Sequence, residues 1–265
     1  MGGGYRVLPR TARLPAHPPS GVALIVLFTD FGVSGPYLGQ MKAVLYRHDS
    51  GRPVLDLFAD APRDPRMASY LLAAYVQDFP PPAVFLCVVD PGVGGERAAI
   101  ALRIDGQWFV GPDNGLFNVV AMRAQREVEW WDIGWRPQRL SHTFHGRDLF
   151  APVAARLAAG ELPPGARCDA DARIDRAWPE DLSSVLYVDA YGNAMTGMRA
   201  DQAPTGGRLM AAERTLDYAA RYGEVPPGTA FWYGNANGLV EIAVSGGHAA
   251  EALGLRPGDA VRWAE

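Results

Sequence analysis

The stretch Val84-Phe-Leu-Cys-Val-Val-Asp90-Pro-Gly-Val-Gly-Gly-Glu-Arg97 decides how this chain is read. Its first six residues, apolar and rich in branched side chains, predict a strand buried on both faces. The polar, glycine-rich run after them predicts a loop at the strand's carboxyl end, where open α/β sheets gather ligands. The same pattern recurs on either side. Upstream, Val22–Phe28 predicts a strand leading into Thr29-Asp30-Phe31-Gly32, and Pro36–His48 a helix with proline in its first turn. Pro53–Phe58 predicts another strand, and Asp64–Phe79 a helix with Met67, Leu71, Leu72, Tyr75 and Val76 at helical spacing. Downstream, Asp105-Gly106 between Ala98–Ile104 and Gln107–Val110 is a hairpin signal. Asn114–Ala124 predicts a helix, Val128–Ile133 a strand and Asp148–Ala159 a helix. Strand and helix alternating in this way predict a layered α/β domain with a mostly parallel sheet.

The pattern then changes. Glu161–Ala166 holds two prolines and a glycine, and a polar, aperiodic run follows. Beyond it lie short strand signals: Val185–Val188, Arg208–Met210, Ala230–Tyr233, Leu239–Val244 and Ala260–Trp263, with helical spacing only in stretches such as Ala249–Leu253. The expected organisation is a disordered tail (1–20), an α/β catalytic domain (21–165), a linker (166–180) and a small all-β, barrel-like domain (181–265).

Composition narrows the function classes. The 265 residues are 48% hydrophobic and 20% charged, ample for a large core. The formal net charge of −4, with no basic stripe, argues against binding nucleic acid through its phosphates. No apolar run reaches the roughly 18 residues of a membrane span, and the first twenty residues carry no apolar block of signal-peptide length. The two cysteines, Cys87 and Cys168, make neither a disulfide framework nor a metal knuckle, so a cytoplasmic location is expected. Lys42 is the single lysine among 25 basic residues, which singles it out.

Four loops combine glycines with polar residues after strands: 29–32, 90–97, Gly111-Pro-Asp-Asn-Gly115 and Thr143-Phe-His-Gly-Arg-Asp148. A fifth, Asp189-Ala-Tyr-Gly-Asn193, follows the first strand of the β domain. Each alone reads as an ordinary turn; four in one domain point to a ligand site. Asp30-Phe31-Gly32 is not a kinase triplet, because neither a glycine-rich nor a catalytic loop precedes it. No Gly-Lys-Ser/Thr follows Asp90, so that loop is not a P-loop. The five histidines do not combine with carboxylates at metal-ligand spacing, and no metal is expected.

Taken in order, the five segments resemble the S-adenosylmethionine hydrolases (hydroxide adenosyltransferases), relatives of enzymes that chlorinate or fluorinate the same substrate. The resemblance runs from about Ala23 to Ala264. Besides the loops, Gly39-Gln-Met-Lys42, Asn237-Gly-Leu-Val-Glu-Ile242 and Leu255-Arg-Pro-Gly-Asp259 carry it. It implies hydrolysis of S-adenosyl-L-methionine to adenosine and methionine by water attack at the ribose 5′ carbon, without a cofactor. It also implies a homotrimer holding substrate between the large domain of one subunit and the small domain of its neighbour. By resemblance, Asp90, Arg97 and His145 form the catalytic triad. Asp30 would take the ribose hydroxyls, and Phe31, Phe144 and Tyr222 would pack on the nucleoside. Asn193 with Asp189 would face the adenine or methionine end, and Asn114, Tyr191, Asn237 and Ala249 complete the implied substrate-binding set. The halogenating sites lack the triad, and Gly146 stands where fluorinating relatives carry serine. Three readings compete: a chloride-using halogenase, a non-catalytic S-adenosylmethionine or adenosine sensor, and, lowest of the three, a metal-dependent hydrolase with His145 and Asp148 as ligands. The chain departs from many relatives at Phe58-Ala59, Thr196-Gly197, Ala236-Asn237 and His248.

Overall fold

The computed structural model describes residues 23–264, so the tail expected over residues 1–20 lies outside the described residues. The first part runs β1 (Leu24–Thr29), α1 (Tyr37–His48), β2 (Val54–Phe58), α2 (Pro65–Tyr75), β3 (Ala83–Val88), β4 (Ala99–Ile104), β5 (Gln107–Pro112), α3 (Asn118–Met122), β6 (Glu129–Ile133), α4 (Ala151–Ala158) and β7 (Gly165–Cys168). Its seven-stranded sheet has the order β2-β1-β3-β5-β4-β6-β7. The β2-β1-β3-β5 half is parallel, and the remaining strands join it antiparallel.

All six residues of β3 are buried, as a central strand covered on both faces requires. The period-2 alternation of side chains divides the core: Val26, Phe28, Phe85 and Cys87 pack with α2 and α3, whereas Ile25, Leu27, Val84, Leu86 and Val88 pack with α1 and α4. Helix α2 starts where its sequence says it should. Asp64 accepts from the Arg66 amide at 2.8 Å, and Pro65 occupies the first turn. Lys42 pairs with Asp56 at 2.6 Å, tying α1 to strand β2.

The structure departs from expectation in three places. The helix expected from Asn114 begins only at Asn118, because Asn114 closes a turn in which its side-chain Oδ1 accepts from the Leu116 amide at 3.3 Å. The expected helix 148–159 opens as a wider π-helical turn over Gly146–Phe150 before α4. The polar segment after Glu161 is not wholly a connector, since Gly165–Cys168 pairs with β6 as an edge strand. Its four residues are half-buried or exposed and show no hydrophobic signal to read.

The second part contains β8 (Leu182–Val188), β9 (Ala194–Arg199), β10 (Leu209–Ala211), β11 (Arg214–Tyr218), β12 (Ala230–Gly234), β13 (Leu239–Val244), α5 (Ala249–Leu253) and β14 (Val261–Trp263). The strands follow the order β14-β10-β11-β12-β13-β9-β8. A bridge between Ser184 and Ala260, with Val185 N donating to Asp259 O at 2.9 Å, brings the two ends of that sheet together into a near-barrel. Strands β9 and β11 carry little sequence signal: β9 contains Gly197, and β11 (RTLDY) buries only Leu216. The two parts share apolar packing, with Leu186 and Leu239 buried in the same cluster as the α2 side chains. Phe58 meets Tyr187 edge-on at 5.2 Å, and the Tyr187 hydroxyl donates to Asp60 at 3.0 Å.

Candidate active site

The loops leaving β1, β3 and β5 and the segment entering α4 assemble at the carboxyl ends of the parallel strands. Asp90 and Arg97 stand at either end of one loop and close on each other. Arg97 Nε donates to Asp90 Oδ1 at 3.0 Å, and Nη2 donates to Oδ2. The pair is well removed from water, with side-chain exposures of 4% for Asp90 and 13% for Arg97. The same Nη2 contacts His145 Nδ1 at 3.1 Å. Its guanidinium lies 5.2 Å from the Phe150 ring centroid, on the turn that carries His145 into α4. The three residues expected to form a triad are therefore joined through one guanidinium.

Because a guanidinium can only donate, Nδ1 of His145 is the acceptor in that contact, and the neutral ring carries its proton on Nε2. Burial first, and the Arg97 charge second, hold the imidazole below its ordinary pKa of 6.5. It is thus uncharged at neutral pH.

Close packing at Gly94 brings the 142–148 segment against the 90–97 loop. Gly94 has φ +82°, and a Cβ there would lie 2.3 Å from the His142 carbonyl oxygen. Only glycine allows both the conformation and the approach. Asp148 accepts from the Ser141 amide at 2.9 Å and from Arg147 Nε at 2.6 Å, while Arg147 Nη1 reaches Gln40 of α1 at 2.9 Å. The motif glutamine and the Arg-Asp of 147–148 thus brace the loop that presents His145.

Phe31 and Phe144 pack edge to face at 5.7 Å, and Tyr37 joins them at 5.4 Å from Phe144. A Cβ on Gly146 would stand 3.0 Å from Met41 Sδ and 3.2 Å from Phe31 Cζ, so a serine would crowd this cluster. Tyr37, Met41 and Phe150 escape sequence reading, since apolar residues on a helix face carry no mark of a site. Asp30 sits beside them, its carboxyl raised above the ordinary value mainly by burial, an effect its own backbone amide and Arg63 partly offset.

The remaining expected residues divide. Asp189 organises its turn by accepting from the amides of Tyr191 and Asn193, each at 2.9 Å, and from Asn193 Nδ2 at 3.2 Å. Tyr191, Asn193 and Tyr222 line a cavity of about 640 Å³ with Val244, Gly246, Gly247 and His248. Every one of these residues belongs to the small domain, and Tyr191 is 80% exposed. His248 caps α5, its Nδ1 accepting from Glu251 N at 3.2 Å, which is the work an asparagine would do there. Ala249, expected in the binding set, is fully buried in the small-domain core and does not line the cavity.

Two expected residues have other employment. Asn114 donates to Val89 O at 2.9 Å and pins its turn to the end of β3. Asn237 donates to Asp78 Oδ2 at 2.7 Å across the junction between the two parts, outside the cavity in the small domain. Among the described residues, no group of three or more His, Cys, Asp or Glu is placed to hold a metal ion.

Residues 25–166 match the family model for the SAM hydroxide adenosyltransferase N-terminal domain, and residues 183–262 match that for its C-terminal domain. The chain belongs to the SAM hydroxide adenosyltransferase family. Its relatives in that family include the (R)-S-adenosyl-L-methionine hydrolase of Thermus thermophilus, 40% identical over 90% of this chain and 98% of the relative. The protein of the same name from Salinispora arenicola is 37% identical over 88% and 95%. A crystal structure of an uncharacterized conserved protein from Thermotoga maritima superposes with a TM-score of 0.80 at 33% identity, covering 91% of this chain and all of the other. The two adenosyltransferase domains correspond to the two parts described above.

Proposed function

We propose that this chain hydrolyses S-adenosyl-L-methionine to adenosine and L-methionine, with water attacking the ribose 5′ carbon. The observation that carries the reading is the Asp90–Arg97–His145 cluster, closed through one guanidinium beside the loops of the parallel strands. Relatives spanning nearly the whole chain and named (R)-S-adenosyl-L-methionine hydrolase support it.

The chemistry suits these side chains. The water oxygen bonds to C5′ as the C5′–S bond breaks, and its electron pair turns the sulfonium into a neutral thioether. That leaving group needs neither a general acid nor a metal, and we propose that no cofactor takes part. The difficulty is to aim and deprotonate the water. Asp90 and neutral His145 are the two acceptors for its proton, and Arg97 stabilises the hydroxide character that develops. With Nδ1 engaged by Arg97, His145 offers an N–H at Nε2 and orients the water first. It accepts a proton only once Arg97 releases Nδ1. Asp30 would bind the ribose hydroxyls, an interaction that offsets the burial of its carboxylate. Phe31 and Phe144 would pack beside the ribose.

The substrate cavity is proposed to be completed in a homotrimer, the large domain of one subunit facing the small domain of the next. The support is that the cavity lined by Tyr191, Asn193 and Tyr222 contains no large-domain residue. A cytoplasmic location goes with this reading. Both described cysteines are free, and no helix of the described residues is long and apolar enough to cross a membrane.

The test is to incubate the purified protein with each sulfonium epimer of S-adenosylmethionine, with and without chloride and EDTA, and to chromatograph the products. Adenosine released from at least one epimer, equally with and without chloride and EDTA, supports the proposal. A 5′-chlorinated nucleoside, EDTA-sensitive turnover, or binding without turnover would each overturn part of it. Sedimentation of the same sample tests the trimer.

A further inference from the structure

The small domain buries a carboxylate that the proposed reaction does not use. Glu241 on β13 is 3% exposed, and among the described residues no cationic side chain pairs with it. Its two oxygens are satisfied separately: Oε1 accepts from the Tyr233 hydroxyl, and Oε2 accepts from Asn235 Nδ2 at 2.7 Å. The orientation of Asn235 is set by its other end, since Oδ1 accepts from the amides of Asn237 and Leu239, each at 3.0 Å. Nδ2 therefore faces Glu241 as a donor, and the carboxylate acts as acceptor on both sides.

From this carboxylate a chain of hydrogen bonds leads outward. The Tyr233 oxygen lies 3.1 Å from the Tyr222 hydroxyl. Tyr233 has one proton, which goes to Glu241; burial and that hydrogen bond raise its pKa well beyond the tyrosine range, so the proton stays in place. The Tyr222 hydroxyl must then donate to Tyr233. Its ring also rests edge-on against the buried Phe231 at 5.3 Å. Tyr222 is 40% exposed and forms part of the cavity wall. A tyrosine at that exposure would otherwise retain rotamer freedom and lose it on binding.

We propose that Glu241 and Tyr233 are positioning residues, a buried relay that holds the Tyr222 ring in place as a preformed wall of the adenosyl-binding cavity. This rests on the reading that the cavity takes the adenosyl part of the substrate. The relay lowers the ordering cost of binding and touches no reacting atom, so its loss moves affinity and leaves the chemical step alone.

The test compares full-length wild type with Tyr233→Phe, Tyr222→Phe and the double variant. KM and kcat are measured with S-adenosylmethionine, and the adenosine Kd by calorimetry. Tyr233→Phe keeps the ring and removes the link. It is expected to raise KM and the adenosine Kd about three- to tenfold, with kcat within about twofold. Tyr222→Phe should match it, and the double variant should be no worse than either, because one relay is cut twice. Unchanged affinity in a folded Tyr233→Phe, or additive losses in the double variant, overturns the relay. If Tyr233→Phe does not fold, half-exposed Tyr222→Phe decides by the same criterion. If wild type binds adenosine with this dependence but does not turn over S-adenosylmethionine, the proposed reaction fails and the relay stands. If wild type does not bind adenosine, the relay falls with its ligand.

Discussion

Replacing Arg97 by methionine keeps the length of the side chain and removes every hydrogen bond it donates. Asp90, only 4% exposed, would keep its charge with neither Nε nor Nη2 to meet it, and His145 Nδ1 would lose its donor. Breaking a buried ion pair from one side costs about 3 to 5 kcal/mol. Two charge-assisted hydrogen bonds at about 1.5 to 3 kcal/mol each lead to the same range. With a urea m-value of about 3 kcal/mol/M for a chain of this size, the midpoint should fall by about 1 M or more. Asp90→Asn in the Arg97→Met background removes the stranded charge and should recover about 1 to 3 kcal/mol of that loss. The assay is urea unfolding of both single variants and the double variant, read by circular dichroism, with turnover measured alongside. Stability should return in part in the double variant, and activity should not. A midpoint shift in Arg97→Met below about 0.2 M, near half a kcal/mol, would refute the buried bidentate pair.

Three further outcomes follow from the same geometry. In Gly94→Ala, the φ of +82° costs an L-residue about 1 to 2 kcal/mol, and the new Cβ meets the His142 carbonyl at 2.3 Å. Turnover should fall more than about tenfold, as misplacing a catalytic group does, with the circular dichroism spectrum retained. His145, held below 6.5 by burial and by Arg97, should titrate below that value by NMR and move up toward it in Arg97→Met. Since the folded state binds this proton less tightly than the unfolded chain, stability should decline as pH falls below 6.5, and the acid limb of kcat/KM should lie in the same region. Asp30→Asn removes a carboxylate that burial disfavours, so Tm should stay or rise while KM for S-adenosylmethionine increases; a lowered Tm with unchanged KM would reverse the assignment.

Much of this protein could be read from its residues in order. Unbroken apolar runs at β1 and β3 predicted central strands, helical spacing predicted the helix from Asp64, and the glycine-rich polar loops pointed to a ligand site, within which the family resemblance implied Asp90, Arg97 and His145. These features are local, and periodicity and turn chemistry act over a few residues. What sequence could not show is which distant groups end up touching. His145 stands 48 residues from Arg97, and their contact depends on Gly94 admitting the His142 carbonyl. Edge strand β7 has no hydrophobic pattern of its own and exists because β6 offers it a free edge. Asn237 looked like a ligand residue, yet Asp78, 159 residues away, holds its amide across the junction. The relay from Glu241 to Tyr222 was equally hidden, because a glutamate in a strand reads as solvated until the fold surrounds it with donors. Sequence by itself determined the central strands and main helices, the α/β layering and the chemical character of the loops. Tertiary structure alone decided the pairings, the tautomer of His145 and which polar groups are buried, because each depends on distances that close only when separate elements pack.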